Sequence, residues 1–407
     1  MKKTILLIQV TLLFLAFTDT YSQWYSQASG TTRELDGISF GDANNGTIVG
    51  RLGTIVRTTN GGLSWFLQPS YTTSWLSGVC FNDANTGTAV GDWGTIRRTT
   101  NGGTSWNLQT VGAMSDLLGV SFTDANTGTV VGTIGTILRT TNGGTNWIIQ
   151  TSGTTNHLEG VCFTDANTGT AVGTAGTILR TTNGGTNWIV QPCGTAHDLH
   201  GVCFTDANNG TAVGDNGTIL GTTNGGINWI LFYIGTGENM YGVSFINANT
   251  GTVVGEGGLI LRTTHSGYIY ISQASGTTNT LRGVSFTDSN NGTVVGDNGT
   301  ILRTTNGGGT FINQISNEIP ERFSLYQNYP NPFNPITKIK FDIPKSSFVK
   351  MVVYNSLGQE VETLVNEKLG AGSYETSWNG SDYPSGVYFY KLVAGDFVNV
   401  KKMVYLK

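Results

Sequence analysis

The residues that could carry out chemistry are few, and their spacing does not form a catalytic arrangement. Residues 37–41 read GISFG, which matches the G-x-S-x-G pattern around a nucleophilic serine. That chemistry needs a helix directly after the serine, and no helical pattern follows here, so we reject it. His197 and His200, with His157 in an adjacent repeat, could gather a metal ion, but histidines are common in exposed loops. We therefore predict no catalytic residue, no metal and no cofactor.

The four cysteines do not form a disulfide framework. Cys80, Cys162 and Cys203 occupy one position of an internal repeat, where serine stands in the other copies. They are expected to be small buried residues with free thiols. Cys193 lies in a connecting loop, and whether it is bridged to Cys203 is left open by the sequence.

The composition indicates many short strands joined by tight turns. Glycine accounts for 58 of the 407 residues and charged residues for only 12%, about twice and half the usual shares. The hydrophobic share of 38% argues against disorder. The formal net charge of −4 gives no indication of a nucleic-acid partner.

The elements that position these residues are seven copies of one unit. A glycine recurs every 41 residues, at Gly37, Gly78, Gly119, Gly160, Gly201, Gly242 and Gly283. Each copy contains four short apolar stretches separated by three turns, which we name strands A to D in chain order. Four antiparallel strands repeated seven times predict an all-β fold, a seven-bladed β-propeller spanning residues 23–315.

An aromatic residue ends the C–D turn in each unit, and it also bears on how the ring closes. There are eight such aromatics for seven sets of A, B and C strands, so either Trp24 or Phe311 completes the last blade. We favour Trp24, because the copy around Phe311 has degraded to GGGTF.

The C–D turn resembles the Asp box of sialidases and related propellers, with asparagine in place of aspartate. In the third repeat, residues 140–147 read TTNGGTNW. The resemblance implies a structural role for the asparagine and tryptophan, not sialidase activity. The turn asparagines are Asn60, Asn101, Asn142, Asn183, Asn224 and Asn306, and the tryptophans are Trp65, Trp106, Trp147, Trp188 and Trp229.

The whole unit, including GVSF and VVGTIGTILRTTNGGTNW, is similar to the photosystem II assembly and stability factor family of propellers. The similarity covers about residues 24–315. It implies the propeller fold, but its implication for function is weak, because secreted relatives that carry sorting domains do not work in thylakoids.

An arginine recurs on strand C, with Gly221 as the exception: Arg57, Arg98, Arg139, Arg180, Arg262 and Arg303. We expect each arginine to pair with an aspartate or with turn carbonyls. The alternative is an arginine-rich patch for an acidic partner.

Antiparallel strands place the A–B and C–D turns on one side of the disc and the B–C turns and D–A loops on the other. The first side is nearly identical in every repeat, and we call it the repeated face. The second, the variable face, comprises the B–C turns and the D–A loops. Its candidate binding residues are Tyr71, Trp75, Asp92, Trp93, His157, His197, His200 and Tyr241.

Trp75 and Trp93 are the leading candidate anchors. They belong to one repeat and should emerge at the same rim, and no other repeat has an aromatic at either place. Exposed tryptophans are costly unless they pack or bind. The alternatives are neutral drift of surface loops, or packing of the two indoles on each other or on Tyr71.

Both ends of the chain read as export signals. Residues 1–22 have a basic start, an apolar stretch too short to span a membrane and a small residue before a cleavage site after Ser22, as in a signal peptide. At the other end, a linker at 316–327 leads to alternating stretches at 328–407 that predict a small immunoglobulin-like β-sandwich.

Four segments of this C-terminal domain carry a further resemblance: YPNPFNP at 329–335, VVYNSLGQEVETL at 352–364, GSYETSWNG at 372–380 and SGVYFYKL at 385–392. They resemble the type A sorting domain of the type IX (Por) secretion system. That implies passage through the outer membrane, contact with the secretion machinery and a sortase, and release or attachment at the cell surface.

The sequence as a whole favours a secreted or surface binding protein for a glycan or protein partner. The competing classes are a glycan hydrolase or lyase of the Asp-box type and a structural surface-layer protein. An enzyme would need paired carboxylates at the axial opening, and the acids here are scattered, so we expect no enzymatic activity.

Overall fold

The computed structural model describes residues 24–112, 114–232, 236–308, 313–316, 318–380 and 383–407. The predicted signal peptide and Phe311 lie outside these ranges. The described chain forms nine four-stranded antiparallel sheets, seven in the ring and two in the C-terminal domain. The prediction of an all-β fold with a seven-bladed propeller is confirmed.

The first strand, β1 (Tyr25–Gln27), belongs to the last blade. Blades 1 to 3 contain β2 (Leu35–Phe40), β3 (Gly46–Gly50), β4 (Thr54–Thr58) and β5 (Phe66–Gln68); β6 (Leu76–Phe81), β7 (Gly87–Gly91), β8 (Thr95–Thr99) and β9 (Asn107–Gln109); and β10 (Leu117–Phe122), β11 (Gly128–Gly132), β12 (Ile137–Thr140) and β13 (Ile148–Gln150).

Blades 4 to 7 follow the same order. They contain β14 (Leu158–Phe163), β15 (Gly169–Gly173), β16 (Thr177–Thr181) and β17 (Ile189–Val190); β18 (Leu199–Phe204), β19 (Gly210–Gly214), β20 (Ile219–Thr222) and β21 (Ile230–Phe232); β22 (Met240–Phe245), β23 (Gly251–Gly255), β24 (Ile260–Thr263) and β25 (Ile271–Gln273); and β26 (Leu281–Phe286), β27 (Gly292–Gly296) and β28 (Thr300–Thr304).

The ring is closed by the N-terminal strand, as favoured from the sequence. β1 pairs with β28, with Tyr25 opposite Arg303. Trp24 is fully buried, and its indole N–H donates to the Gln273 side chain of blade 6 at 3.0 Å.

The innermost strands pack against one another so closely that a side chain would not fit at the recurring glycine. A Cβ at Gly283 in blade 7 would lie 2.7 Å from the Asp36 carbonyl oxygen in blade 1, and one at Gly78 would lie 2.9 Å from the Leu118 carbonyl oxygen. The 41-residue glycine is therefore required by the approach of neighbouring blades.

The serine or cysteine position of strand A links blades. The Ser39 hydroxyl accepts the Phe81 backbone N–H at 2.9 Å, and the Cys80 thiol accepts that of Phe122 at 3.4 Å. Cys80, Cys162 and Cys203 are half-buried, not buried as expected. All four cysteines are free thiols, so Cys193 and Cys203 are not bridged.

The strand-C arginines also join blades. Arg57 donates from Nη1 to the Thr47 hydroxyl at 2.7 Å and from Nη2 to the Ala84 carbonyl of the next blade at 2.5 Å. Its guanidinium lies 5.0 Å from the centroid of the Phe81 ring. The arginines thus pair with turn carbonyls, which the first alternative predicted.

The asparagine found in six of the seven C–D turns organises its own backbone, and His265 takes its place in blade 6. Asn142 accepts the Asn146 backbone N–H at 3.0 Å, and the Thr140 hydroxyl accepts that of Gly144 at 2.8 Å. Trp147 packs edge-on against Phe122 with centroids 6.1 Å apart, and its indole N–H donates to the amide of Gln109 in the preceding blade. The turn therefore supports both its blade and the junction.

The C-terminal domain is a sandwich of two sheets with strand orders β29-β34-β31-β30 and β33-β32-β35-β36. The strands are β29 (Asn313–Ser316), β30 (Ser324–Leu325), β31 (Ile336–Ile343), β32 (Ser347–Tyr354), β33 (Glu360–Leu369), β34 (Gly372–Asn379), β35 (Gly386–Ala394) and β36 (Phe397–Tyr405). Its core includes Phe341, Trp378, Tyr390 and Tyr405. β29 pairs with β34, so residues 313–316 lie in the sandwich.

Candidate functional site

The variable face is one connected surface, because the B–C turns and D–A loops hydrogen-bond to each other. The Arg51 backbone N–H donates to the Glu34 carbonyl at 3.0 Å within blade 1. The Gly94 N–H donates to the Ser115 carbonyl, also at 3.0 Å, which links blade 2 to the loop entering blade 3. Side chains on neighbouring turns and loops are therefore held in fixed relation.

The tips of the B–C turns have a left-handed backbone that disfavours bulky residues. The tip residues are Leu52, Trp93, Ile134, Ala175, Asn216, Gly257 and Asn298, with φ between 51° and 62°. Asparagine and glycine tolerate this conformation, whereas a branched side chain is an outlier there. The fold alone therefore does not explain leucine, tryptophan and isoleucine in blades 1 to 3.

Tyr71 shows the same departure in a D–A loop. Its φ is +55°, and glycine stands at the equivalent place in all six other loops. The ring is exposed, and the Tyr71 carbonyl accepts a hydrogen bond from Arg97 at 2.6 Å. The backbone is anchored while the side chain is left to solvent.

These bulky residues form a continuous series around blades 1 to 3, which we call the apolar arc. It consists of Leu52, Tyr71, Trp93, Met114 and Ile134, alternating between turn tips and loops, and all five are exposed. Trp93 is 74% exposed. Large exposed apolar groups in such a series are typical of interaction sites.

Trp93 and Trp75 occur at the same rim but have different roles. The Trp93 backbone N–H donates to the Asp116 carboxylate at 2.9 Å, which holds the tip while the indole is free to solvent. Trp75 is half-buried and leans toward blade 1, where its indole N–H donates to Asp36 at 2.5 Å and the Arg51 guanidinium lies 5.3 Å from its ring. Among the aromatic contacts of the described chain, the two indoles do not meet.

Asp92 lies between the two tryptophans in the structure. Its backbone N–H donates to the Trp75 carbonyl at 3.0 Å. Burial, and then the charge of Asp116, raise the pKa of the Asp92 carboxyl.

A second constellation surrounds the axial opening of the variable face. The second residue of each innermost strand points to this opening: Asp36, Ser77, Leu118, Glu159, His200, Tyr241 and Arg282. The charged members and Tyr241 lie on blades 4 to 7 and blade 1, whereas the apolar arc spans blades 1 to 3. His200 and Tyr241 are among the residues predicted from the sequence, but the ring is not, although the 41-residue step between its members is visible in the sequence.

His200 is held between two carboxylates. Its Nδ1 lies 2.5 Å from Glu159 and its Nε2 lies 2.8 Å from Asp215. Burial alone lowers the pKa of His200, but the hydrogen bonds and charges of these carboxylates raise it to about 9. The imidazole is therefore a cation at neutral pH and donates from both nitrogens.

The network continues from His200 toward blade 1. The Tyr241 ring centroid lies 5.0 Å from that of His200, and its hydroxyl donates to Glu256 at 2.9 Å. Arg282 pairs with Asp297 at 2.5 Å and with Glu34 at 3.0 Å. Asp297 and Glu34 are thus engaged by a cation and Glu256 by a hydroxyl, and together these groups brace the rim.

Asp36 ends this network beneath Trp75. Burial raises the pKa of Asp36 to about 6, although the hydrogen bond from Trp75 and the charge of Arg282 act in the opposite direction. Asp36 is largely ionised at neutral pH, where it accepts the Trp75 hydrogen bond and pairs with Arg282.

The other two candidate histidines, His157 and His197, lie apart from this network. His157 is exposed, and the His197 ring nitrogen Nδ1 lies 2.8 Å from the Thr218 hydroxyl. Within the described ranges, no group of three His, Cys, Asp or Glu side chains is arranged to hold a metal ion. No helix in the described part of the chain is long and apolar enough to cross a bilayer.

The fold and the C-terminal domain together define an exported seven-bladed propeller. Residues 327–406 match the family model of the secretion system C-terminal sorting domain. This domain indicates export by the type IX secretion system to the cell surface or the medium. Residues 105–189 match the model of the photosynthesis system II assembly factor YCF48.

Several solved structures have the same fold as the propeller. A structure of YCF48 bound to a D1 peptide is 20% identical and has a TM-score of 0.61, covering 70% of this chain and 96% of its own. YCF48 from Cyanidioschyzon merolae is 21% identical with a TM-score of 0.60, covering 69% and 98%. The WD40 propeller domain of Doa1 is 12% identical with a TM-score of 0.56, covering 70% and 97%. A search among curated proteins finds no significant match. The chain thus carries a YCF48-like propeller followed by a sorting domain.

Proposed function

We propose that this protein is an exported recognition module that binds a protein partner through the apolar arc of its variable face. The observation that carries the proposal is the placement of Leu52, Trp93 and Ile134 at exposed tips with a left-handed backbone. Strained conformations persist where a function requires them. Asparagine or glycine would serve the fold better, as in blades 5 to 7.

The chemistry of the arc favours a protein over a glycan. Leucine, isoleucine and methionine offer aliphatic contact area without hydrogen-bonding groups, whereas sugar recognition uses flat rings together with polar side chains. Trp93 and Tyr71 supply the rigid aromatic anchors that dominate protein interfaces. The similar YCF48 structure contains a bound D1 peptide, which supports peptide recognition by this fold.

The axial opening favours binding over catalysis. Glu34, Asp297 and Glu159 are each engaged by an arginine or a histidine. A hydrolase needs one carboxylic acid free to donate a proton and one carboxylate free to attack or to activate water. We therefore propose that the protein has no glycan-cleaving activity.

The test places a photo-crosslinking amino acid at Met114 on the arc, and in a second sample at Ala84 on the repeated face. The full chain is incubated with surface extract of the producing cells and, separately, with an array of polysaccharides. We expect one protein to crosslink at position 114 only, and Trp93→Asn to reduce its capture by tenfold or more. Ile149→Asn, which alters an exposed isoleucine on the outer strand β13, should leave capture unchanged.

Two outcomes would contradict the proposal. Crosslinking of equal strength at both positions would mean that the arc is not the site. Retention on a polysaccharide that is insensitive to Trp93→Asn would place recognition elsewhere, and new reducing ends would identify an enzyme.

A further inference from the structure

A strand-C arginine fills five of the seven blade junctions in the same way. At the junction of blades 7 and 1, Arg303 donates instead to the Gly61 carbonyl, and one further junction has no arginine. At the junction of blades 4 and 5, Arg180 donates from Nη1 to the Thr170 hydroxyl and from Nη2 to the Ala207 carbonyl, both at 2.7 Å. Its guanidinium lies 4.8 Å from the centroid of the Phe204 ring. The same hydroxyl, carbonyl and aromatic face receive Arg57, Arg98, Arg139 and Arg262.

At the junction of blades 5 and 6 the equivalent residue is Gly221, but the groups that would receive an arginine are all present. Thr211, Ala248 and Phe245 occupy the places of the hydroxyl, the carbonyl and the ring. All three line a cleft of about 310 Å³, together with Asn209, the counterpart of the asparagine that Arg57 also contacts. The cleft lies among A–B and C–D turns and opens on the repeated face.

The chain cannot fill this cleft with an arginine of its own at position 221. A Cβ there would lie 2.3 Å from the Phe232 ring, which covers the glycine. Phe232 replaces the glutamine that ends most outer strands and meets Tyr268 edge-on, with centroids 5.3 Å apart. The two rings form an aromatic wall beside the cleft.

The surroundings keep their attraction for a cation. In blade 4, burial lowers the pKa of Arg180, and the charge of Asp165 opposes this shift only in part. Its counterpart in blade 5, Asp206, is retained, although the equivalent arginine is replaced by Gly221. The Thr205 hydroxyl, which also lines the cleft, is buried and has no hydrogen-bond partner.

We infer that the cleft at the junction of blades 5 and 6 binds a guanidinium group supplied from outside the chain. The hydroxyl of Thr211, the carbonyl of Ala248 and the face of Phe245 form a receptor whose geometry is demonstrated at five other junctions of the same molecule. Guanidinium donates in a fixed planar fork and stacks on aromatic faces, which ammonium matches poorly. The source is either an arginine side chain of a partner protein or a free guanidino compound.

The experiment measures binding of small probes to the full chain by isothermal titration calorimetry. The probes are N-acetylarginine methylamide, its neutral citrulline analogue and N-acetyllysine methylamide. We expect saturable binding of the arginine probe, and at least about tenfold weaker binding of the citrulline probe, because the charged donor is lost. Agmatine and free arginine separate the two sources: tighter binding of either than of the methylamide identifies a small metabolite, and the reverse identifies a peptide.

Two variants locate the site. Thr211→Val removes the hydroxyl with little change of shape and should weaken the arginine probe about tenfold. Thr170→Val is the matched control, because its hydroxyl already serves Arg180, and it should leave probe binding unchanged. Gly221→Arg combined with Phe232→Gln restores the internal arginine and should abolish binding.

The inference is overturned if the unaltered chain shows no saturable binding of the arginine probe. It is equally overturned if the citrulline probe binds as well, a result that does not depend on how any variant folds. Equal effects of Thr211→Val and Thr170→Val in folded proteins would place the bound probe elsewhere.

Discussion

Replacing Ile134 by asparagine should make the protein more stable, although it removes a large apolar side chain. Ile134 has a φ of +56° at the tip of the B–C turn in blade 3. The left-handed region costs an ordinary residue roughly 1–2 kcal/mol, and asparagine escapes most of that cost. Asn216 and Asn298 already occupy this position in blades 5 and 7.

The loss of apolar contact opposes this gain only weakly. Ile134 is 67% exposed, so the lost burial is about a third of a full isoleucine, or roughly 0.5–1 kcal/mol. The balance is a stabilisation of about 0.5–1 kcal/mol. For a domain of this size that corresponds to a rise in thermal midpoint of roughly 1–3 °C.

Ile149 provides the control within the same blade. It is 66% exposed but lies in the extended outer strand β13. Ile149→Asn should therefore destabilise by about 1 kcal/mol, because asparagine is disfavoured in strands and the apolar loss is the same. Both variants are compared by urea unfolding and differential scanning calorimetry. If Ile134→Asn destabilises the chain as much as Ile149→Asn, then strain at the tip is not the reason for its unusual residue.

Three further results are expected. Trp147→Ala should lower the free energy of unfolding by roughly 3 kcal/mol, because the packing on Phe122 is lost. Asn142→Ala should lower it by about 1 kcal/mol, because the turn loses the acceptor of the Asn146 backbone N–H. Denaturant unfolding measures both, and unchanged midpoints would contradict a structural role. The raised pKa of His200 contributes up to about 3 kcal/mol to the free energy of unfolding. This contribution is fully present below about pH 6.5 and is lost as the pH rises through about 9. His200→Gln should therefore flatten the pH dependence of stability in this range, and an unchanged pH dependence would refute the contact of His200 with two carboxylates. Deletion of residues 327–406 should retain the propeller inside the cell envelope, as cell fractionation with immunoblotting would reveal.

The repeat period was enough to predict the blades and the strand that closes the ring. Gly37 and its six equivalents recur every 41 residues, a spacing that only stacked repeats explain. Trp24 is an eighth aromatic residue for seven blades, which indicated that the N-terminal strand closes the ring. The pairing of Arg57 with a turn carbonyl was also foreseeable, because an arginine that recurs with the fold serves the fold.

The candidate site was less accessible to sequence reasoning. The offset between Trp75 and Trp93 predicted a shared rim, but the direction of each side chain depends on neighbouring blades: Asp36 and Arg51 draw Trp75 inward. The left-handed backbone of Leu52 could not be predicted either, because the glycine that follows it already accounts for a turn. Glycine stands at the position of Tyr71 in the other six D–A loops. This comparison could have predicted a left-handed backbone at Tyr71 from the sequence.

Closure by β1 makes the folding of this ring a problem of long-range contact. Within blades and between neighbours, partners are separated by no more than about one repeat, whereas the bond from Trp24 to Gln273 spans 249 residues. Contacts between residues so far apart in sequence form late in folding, because the entropy of closing the loop is lost before the contact contributes any stabilisation. Until then the chain is an open arc whose last strand, β28, has an unpaired edge, and unpaired edges recruit other chains. For a protein that crosses a periplasm on its way out, the time spent as an open arc is the interval in which a second molecule's β1 could take the place of its own.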